Sequence, residues 1–381
     1  MIKKVIIFIP AIEKGGVERN AIWVANELAS KKIQVDVVFV RAAKGQCEKF
    51  ADGVAKVQMP LKKSKLLNQR INDAIYIRKS FDKYLQTQNS DNTIVIAFQS
   101  ASVAIDICRK NNVKIVCRLS NHPNAVRYEK SLLRKISEWL KPYTYKKADA
   151  VIANSKRLSR DFEEKIGKTV ITVYNPIDFD RIEQLKQGEI EKELVQEAKE
   201  YEGKLLISIG RLAVQKDLET LIKGYASCKY YRESMLWIIG EGNEREKLQK
   251  IIEQLNMQEH IRLLGYQENV YKYLKYADLF IQTSLYEGCP NALIEAIAAG
   301  VPAIATNCLS GPEEVLVGGK GGDLVSVGNV EQLAERIDAF LENPNYLKEK
   351  LTVAKENLYR YSAENVSRQY MEILYKLMDK E

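Results

Sequence analysis

Two glutamates stand eight positions apart in the stretch "SLYEGCPNALIEA" at residues 284–296. The apolar spacing predicts a helix over "NALIEAIAA" that ends at Gly300, so Glu295 lies in that helix and Glu287 in the loop before it. Ionised carboxylates accept hydrogen bonds from vicinal sugar hydroxyls, and two of them at this spacing could hold two sugar rings. The alternative is that Glu287 caps the helix and Glu295 is exposed to solvent.

Two basic residues, Arg211 and Lys216, follow Gly210 in "ISIGRLAVQKDLETLI" at residues 207–222. They stand where a predicted strand gives way to a helix. Arginine can donate two parallel hydrogen bonds to a phosphate, and lysine adds a mobile positive charge. Because cations oppose the positive N-terminal end of a helix dipole, their position favours a diphosphate site over a solvated charged surface.

Glycines and a proline mark the starts of two further predicted helices. Gly15 and Gly16 in "AIEKGGVER" let backbone N–H groups approach a ligand, although the GxGxxG spacing of dinucleotide-binding loops is absent and a simple tight turn is the alternative. Pro290 lies near the first turn of its helix, where a missing N–H costs little. The backbone N–H groups near Asn291 and Ala292 are predicted to be free for a phosphate or a hydroxyl.

Short apolar runs alternate with longer helical patterns along the whole chain. The predicted strands are 4–10, 34–40, 93–99, 114–120, 150–155 and 171–176 in the first half, and 204–210, 234–240, 260–265, 278–284 and 301–307 in the second. Such alternation predicts parallel sheets with helices on both faces. We therefore expect an α/β protein of two doubly wound, Rossmann-like domains facing a cleft. In doubly wound sheets, ligands bind beyond the carboxyl ends of strands, which is where the residues above lie.

The boundary between the two predicted domains falls in "VYNPIDFDRI", because Asn-Pro ends a strand and redirects the chain. We expect an N-terminal domain at 1–174 and a C-terminal domain at 175–361. Residues 362–381 are predicted to form a final helix that packs toward the N-terminal domain. A chain of 381 residues has the length of two such domains.

The composition bears on compartment and on metal binding. No apolar run reaches the roughly 18–20 residues of a membrane span, and the first residues are predicted to be a buried strand rather than a signal peptide. The six cysteines have no CxxC or Cys/His metal spacing, and the chain has two histidines. We therefore expect a reducing cytoplasmic location, no metal and no cofactor.

Charge is distributed unevenly along the chain. Residues 1–175 carry 33 Lys and Arg against 16 Asp and Glu, whereas the remainder carries 25 against 34. An excess of positive charge indicates an anionic partner, such as nucleic acid, acidic lipid or a polyphosphate, with solubility as the alternative. The segments 61–85 and 127–147 mix basic residues with Leu, Ile, Tyr and Trp139, which is typical of amphipathic segments on anionic membranes.

An ordinary surface helix is the alternative for the second of these segments. It would pack Leu132, Ile136 and Leu140 inward.

The motifs of this chain, and the order in which they occur along it, resemble those of the retaining GT-B glycosyltransferases of family 4. The resemblance rests on the E-x7-E pair after "SLY", on "GR" and "QK" before it, and on "GGVER" near the N-terminus. "IIGEGNEREKLQ" and "GPEEVL" are also similar to segments of that family, so that the resemblance covers nearly the whole chain.

The resemblance implies a nucleotide-sugar donor, UDP-linked by the family's commonest usage. Arg211 and Lys216 would bind its diphosphate, Glu295 the ribose hydroxyls and Glu287 the transferred sugar. His122 is similar to the family histidine that contacts the donor sugar, and it completes the expected catalytic set with Arg211, Lys216 and Glu287; a buried structural histidine is the alternative. The other residues expected at the donor site are Gly15, Gly16, Gly210, Glu241, Gly242, Tyr266, Gly288, Cys289, Pro290, Asn291, Ala292 and Leu293.

The implied reaction needs no metal and no protein nucleophile. The departing phosphate oxygen would take the acceptor's proton on the face that it leaves. The expected acceptor is a glycan linked to polyprenyl diphosphate, reached by a peripheral enzyme at the cytoplasmic face of the membrane, with no nucleic-acid partner. A nucleotide-sugar epimerase and a non-catalytic binder of nucleotide-sugars or nucleic acid are the alternatives.

Overall fold

The computed structural model describes residues 2–60, 69–120, 132–194, 196 and 203–379. It divides into two compact units. The first unit contains Met1–Pro176 together with Ala363–Glu381, and the second contains Ile177–Ser362. The chain therefore leaves the first unit after Pro176 and returns to it for its last helix.

Parallel strands form the centre of each unit. The strands of the described residues are β1 (Lys4–Phe8), β2 (Ala11–Ile12), β3 (Gln34–Phe39), β4 (Arg41–Ala42), β5 (Val54–Gln58), β6 (Thr93–Ala97), β7 (Lys114–Leu119), β8 (Ala150–Ala153), β9 (Val170–Thr172), β10 (Lys204–Ile209), β11 (Ser234–Ile239), β12 (Ile261–Gly265), β13 (Leu279–Gln282), β14 (Ala303–Thr306) and β15 (Asp323–Val325).

Helices connect these strands. The described α-helices are Gly16–Ser30, Gln69–Leu85, Ala101–Lys110, Leu132–Tyr145, Lys156–Ile166, Phe179–Lys186, Leu218–Ala226, Arg245–Gln254, Tyr271–Leu274, Asn291–Ala298, Pro312–Val315, Val330–Glu342, Asn345–Glu356 and Ala363–Met378. Short 3₁₀ turns occur at Cys47–Lys49, Ser90–Asn92, Val214–Lys216, Tyr231–Glu233, Val317–Gly319 and Leu358–Tyr361.

Both large sheets are doubly wound. The first has the order β5-β3-β1-β6-β7-β8-β9, and the second has the order β12-β11-β10-β13-β14-β15. Neighbouring strands are parallel in both sheets. The direction in which strands are added reverses between β1 and β6 in the first sheet and between β10 and β13 in the second. These two places are the switch points at which doubly wound proteins bind ligands.

Helices cover both faces of each sheet. Every residue of β6 and of β11 is buried, and successive side chains of a strand point to opposite faces. Complete burial of a strand therefore requires a cover on each side, which explains why these strands are continuous apolar runs. The predicted fold class, two doubly wound α/β units, is confirmed.

The strand prediction from the sequence was incomplete at the sheet edges. β5, with the sequence VAKVQ, was missed because as an edge strand it leaves most of its residues exposed or half-buried. β15 was missed because it is only three residues long. Neither segment presents an apolar run of the length that marks the central strands.

The last helix, Ala363–Met378, packs in the first unit. Its predicted apolar face is buried, including Val366, Tyr370 and Leu374. The hydroxyl of Tyr370 accepts a hydrogen bond from Nε of Arg118 at 3.2 Å. These contacts fix the helix against the sheet that contains β7.

Three large apolar side chains are exposed near the end of the helix Leu132–Tyr145. Trp139 is 66% exposed, Leu140 44% and Tyr143 64%. The rings of Trp139 and Tyr143 lie 5.7 Å apart between centroids. The alternative in which Leu140 packs inward is therefore wrong; the side chains of Leu132 and Ile136 lie outside the described residues. In the part of the chain that the structure describes, no helix is long and apolar enough to cross a membrane.

Candidate active site

The strongest candidate site lies at the switch point of the second sheet. The loop that follows β10 contains Arg211 and Lys216, and the loop that follows β13 contains Glu287. β10 and β13 are neighbours in the sheet, so both loops emerge at the same edge. The sequence placed these residues beyond strand ends; the strand order is what brings them together.

Hydrogen bonds join the two loops. The N–H of Leu285 donates to the carbonyl of Gln215 at 2.8 Å, and Nε2 of Gln215 donates to the carbonyl of Tyr286 at 2.9 Å. The hydroxyl of Thr283 donates to the carbonyl of Lys216 at 3.0 Å. These hydrogen bonds therefore fix the backbones of the two loops against each other.

A third loop, after β14, supports the second one. The N–H of Glu287 donates to the carbonyl of Leu309 at 3.2 Å, and the hydroxyl of Ser310 donates to the carbonyl of Glu287 at 2.8 Å. Gly311 has a φ of +97°, and a Cβ at this position would lie 2.6 Å from Cδ of Pro290. A larger residue fits neither the backbone conformation nor the space, which explains the glycine.

The carboxylate of Glu287 is bound by two side chains. Its Oε1 lies 2.5 Å from Nζ of Lys216 and accepts a hydrogen bond of 2.7 Å from Oγ of Ser284. Glu287 is 6% exposed and the Lys216 side chain 19%, so this ion pair is largely removed from water. The sequence predicted both charged residues at the site but not their pairing, and Ser284 was not predicted at all. The sequence feature that could have indicated Ser284 is a hydroxyl-bearing residue three positions before Glu287.

Arg211 differs from Lys216. Its side chain is exposed, and it forms no ion pair with any residue that the structure describes. A guanidinium in this position has its five donors available to an anion at the switch point.

The structure rules out the alternative for the two glutamates and corrects one expectation about the start of the helix. Glu287 does not cap the helix Asn291–Ala298, because the N-cap is Pro290 and no side chain caps it. Glu295 is 6% exposed rather than solvated. The N–H of Asn291 is not free, since it donates to the carbonyl of Cys289 at 3.0 Å.

The other predicted residues of this helix and its loop fall into two groups by burial. Gly288, Pro290 and Leu293 are buried, whereas Cys289 and Ala292 are half-buried.

The loop after β11 packs directly on the loop after β10. A Cβ on Gly240 would lie 1.8 Å from the carbonyl oxygen of Gly210, and one on Gly242 would lie 2.1 Å from that of Leu212. These glycines therefore allow two backbones to touch beside Arg211. The carboxylate of Glu241 pairs with Arg245 at 3.0 Å.

Tyr266 follows β12 at the edge of the sheet and is 56% exposed.

Two titratable groups near the site have shifted pKa values. Burial raises the pKa of the Asp217 carboxyl above its usual range, against the opposing hydrogen bond from Oγ1 of Thr220 at 2.7 Å. Burial, with a contribution from the charge of Glu287, raises the pKa of the Cys308 thiol to about 12. Cys308 therefore stays protonated at neutral pH and is not a nucleophile.

The first unit has its own polar cluster at its switch point. Gly15 is the N-cap of the helix Gly16–Ser30, so this helix begins where the sequence predicted. A Cβ on Gly15 would lie 2.4 Å from Oε2 of Glu18, whose Oε1 accepts a hydrogen bond of 2.8 Å from Gln99. Glu18 is buried and was not predicted.

His122 lies outside the described residues. Among those described, no group of three His, Cys, Asp or Glu could hold a metal ion.

Two known families resemble separate parts of the chain. A family described as "Glycosyl transferases group 1" matches residues 189–360, which contain the whole candidate site of the second unit. A second family, "Glycosyltransferase Family 4", matches residues 14–181. The second unit is therefore similar to the group 1 glycosyltransferases, and most of the first unit is similar to glycosyltransferase family 4.

The chain is also similar to individual glycosyltransferases. An uncharacterized glycosyltransferase of Methanocaldococcus jannaschii is 36% identical over 211 residues, which cover 54% of this chain and 51% of that protein. This chain therefore matches about half the length of that relative. N-acetylgalactosamine-N,N'-diacetylbacillosaminyl-diphospho-undecaprenol 4-alpha-N-acetylgalactosaminyltransferase of Campylobacter jejuni is 27% identical over 267 residues, covering 69% of this chain and 70% of the relative.

Among solved structures, HepE of Anabaena in complex with UDP and glucose superimposes with a TM-score of 0.78. The superposition covers 98% of this chain and 100% of HepE, at 19% identity. At that identity the match concerns the fold, and it confirms the expected GT-B class of two Rossmann-like units.

Proposed function

We propose that this glycosyltransferase moves a sugar from a nucleotide-sugar donor, UDP-linked, to a glycan carried on polyprenyl diphosphate, with retention at the anomeric carbon. The observation that carries the proposal is the arrangement at the second switch point: Arg211, which is exposed, lies in the same loop as Lys216, and Lys216 pairs with Glu287. It combines cations for a diphosphate with a fixed carboxylate for a sugar hydroxyl. The relative from Campylobacter jejuni, whose name includes diphospho-undecaprenol, supports the acceptor class.

The proposal assigns the two substrates to different units. The second unit, with its group 1 match, binds the nucleotide-sugar, and the first unit binds the acceptor. Glu295 takes the ribose hydroxyls and Tyr266 stacks on or borders the base. A first half rich in Lys and Arg suits an acceptor that carries a diphosphate.

The chemistry follows from where negative charge develops. As the sugar leaves, charge accumulates on the diphosphate, and Arg211 and Lys216 stabilise it with fixed cations. The side chains themselves supply this positive charge, so the proposed mechanism is independent of metal. Glu287 is engaged through Oε1 by Lys216 and Ser284, which suits it to holding a hydroxyl rather than to attacking the anomeric carbon. The leaving phosphate oxygen then accepts the acceptor's proton on the same face.

The proposal extends to location. We place the enzyme at the cytoplasmic face of the membrane, attached peripherally through the exposed Trp139, Leu140 and Tyr143 and the neighbouring lysines. Aromatic side chains favour the membrane interface, and basic ones favour acidic headgroups. This arrangement would bring the first unit to an acceptor whose lipid is embedded in the bilayer.

A transfer assay tests the function. The full-length protein is incubated with a panel of UDP-sugars and a polyprenyl-diphosphate-linked glycan, and the anomeric configuration of the product is read by NMR. We expect transfer with retention for at least one donor. Conversion of the donor without acceptor would identify an epimerase, and binding without turnover would identify a non-catalytic protein.

Arg211 provides the decisive variant. Because its side chain is exposed and forms no ion pair with the described residues, Arg211→Ala should leave folding unchanged while lowering kcat by about 10²–10³-fold. Arg368→Ala, which removes an exposed ion pair with Glu372 in the first unit, is the matched control and should retain activity. Normal turnover by the Arg211 variant would remove that residue from the mechanism.

A further inference from the structure

Ser284 is placed so that its hydroxyl serves Glu287. The residue is completely buried, and its carbonyl accepts a hydrogen bond of 2.7 Å from the hydroxyl of Thr306. Its Oγ lies 2.7 Å from Oε1 of Glu287. An ionised carboxylate only accepts, so the serine hydroxyl is the donor. A short side chain on a fixed backbone gives this donor a fixed direction.

Lys216 binds the same oxygen with less directional control. Its ammonium is a point charge with three rotatable donors on a flexible stem. It can turn toward a phosphate while one N–H remains on Oε1 of Glu287. The last torsion of a glutamate is soft, so a carboxylate held by the lysine alone would follow it. The serine hydroxyl is the contact that prevents this rotation.

The second carboxylate oxygen of Glu287 has no such contact. No described residue is bound to Oε2. We propose that Ser284 is a positioning residue of the transfer reaction: its hydroxyl fixes Oε1, so that Oε2 accepts a hydrogen bond from a hydroxyl group of the sugar being transferred. This inference rests on the proposed function and specifies the part of the donor that the loop after β13 recognises.

The proposal predicts different effects on recognition of the sugar and of the nucleotide of the donor. Glu287 would contact the sugar and not the nucleotide, so loss of the serine hydroxyl should weaken only ligands that carry the sugar. For Ser284→Ala, isothermal titration with the full-length protein should show binding of the active UDP-sugar weakened by about 10-fold or more, with binding of UDP alone unchanged. kcat/KM for transfer should fall by a similar factor. Ser284→Thr keeps a hydroxyl and should restore most of both.

A matched control is Ser234→Ala. Ser234 is also completely buried in the second unit, and its Oγ donates to the carbonyl of Tyr231 at 3.2 Å, away from the candidate site. It should lose stability without selective loss of UDP-sugar binding. Ser284→Cys, of nearly the same size, replaces Ser284→Ala if the alanine variant does not fold and should show the same selective loss.

The possible results distinguish a failure of the role proposed for Ser284 from a failure of the proposed function. If Ser284→Ala binds the UDP-sugar as the unchanged protein does, or loses UDP and UDP-sugar equally, the positioning role is wrong while the transferase assignment stands. If the unchanged protein neither binds nor turns over any UDP-sugar, the proposed function itself fails and the inference fails with it.

Discussion

The sequence indicated candidate residues for the site but not how their side chains pair. The types and spacing of Arg211, Lys216, Glu287 and Glu295 indicated sugar and phosphate chemistry, because few other roles need cations at a strand end and carboxylates beside a helix start. The contact between Lys216 and Glu287 joins residues 71 positions apart. It depends on β10 and β13 being neighbours, and hydrophobic periodicity contains no information about that order.

Gln282, the last residue of β13, is the least favourably placed polar residue near the site. Its side chain is 4% exposed, and neither its amide nitrogen nor its amide oxygen has a hydrogen-bond partner among the described residues. It is paired in register with Ala305, and Phe280 lies on the same face of the sheet. A buried amide without partners in apolar surroundings destabilises the folded state.

We therefore expect Gln282→Met to stabilise the protein. Methionine has the same unbranched length without polar atoms, and the free energy of unfolding should rise by about 1–2 kcal/mol. Urea denaturation measures the change. Gln215→Met is the control, because Nε2 of Gln215 donates to the carbonyl of Tyr286 at 2.9 Å and its loss should lower stability. A less stable Gln282 variant would mean that the amide is satisfied by bound water.

Complete burial made a central strand evident from the sequence, whereas an irregularly buried strand at a sheet edge was missed. β11 has six buried residues in succession and is evident from the sequence, whereas β5 at the sheet edge alternates irregularly between buried and exposed positions. The start of the helix Gly16–Ser30 was predicted from its glycines, but the carboxylate of Glu18 that lies against Gly15 is seen only in the structure. Residue types indicate where a helix or strand lies, whereas the contacts of that helix or strand depend on the fold.

The helix Leu132–Tyr145 is the element that should bind a membrane. Its exposed face carries Trp139 and Tyr143, and Lys146 and Lys147 follow it in exposed positions. Replacing both aromatic residues with alanine removes most of the apolar area available to the interface. Affinity for anionic vesicles should fall by about tenfold or more for each ring, since each buries an aromatic side chain.

Liposome flotation with phosphatidylglycerol vesicles, compared with phosphatidylcholine vesicles, measures this affinity. Binding to the anionic vesicles should weaken as salt screens the basic residues. Tyr359→Ala removes a similarly exposed ring from the second unit and should have no effect. Equal flotation of the double variant and the unchanged protein would exclude this helix as the membrane contact.

At the scale of the whole molecule, the chain passes between the units twice, after Pro176 and after Ser362. Arg118 in β7 binds one residue near each crossing, and both of these residues belong to the first unit. Arg118 is 3% exposed, and its guanidinium donates to the hydroxyl of Tyr370 at 3.2 Å and to Oδ1 of Asn175 at 2.6 Å. The apolar face of the last helix was predictable from its periodicity. That this helix binds a buried arginine was not, because an isolated arginine gives no sequence signal of burial.

Tyr370→Phe tests how much this link contributes. The substitution keeps the ring and removes the acceptor of a hydrogen bond from a buried cation, so the first unit should lose about 1.5–3 kcal/mol of stability. Hydrogen exchange measured by mass spectrometry should show reduced protection in β7 and in the helix Ala363–Met378, with β10 and β13 unchanged. Tyr225→Phe is the mirror control: the hydroxyl of Tyr225 donates to the carbonyl of Ser234 at 2.6 Å within the second unit, so protection should fall there and not in the first. If Tyr370→Phe leaves exchange in β7 and the last helix unaltered, the link contributes nothing to stability, and the apolar face alone holds the helix in the first unit.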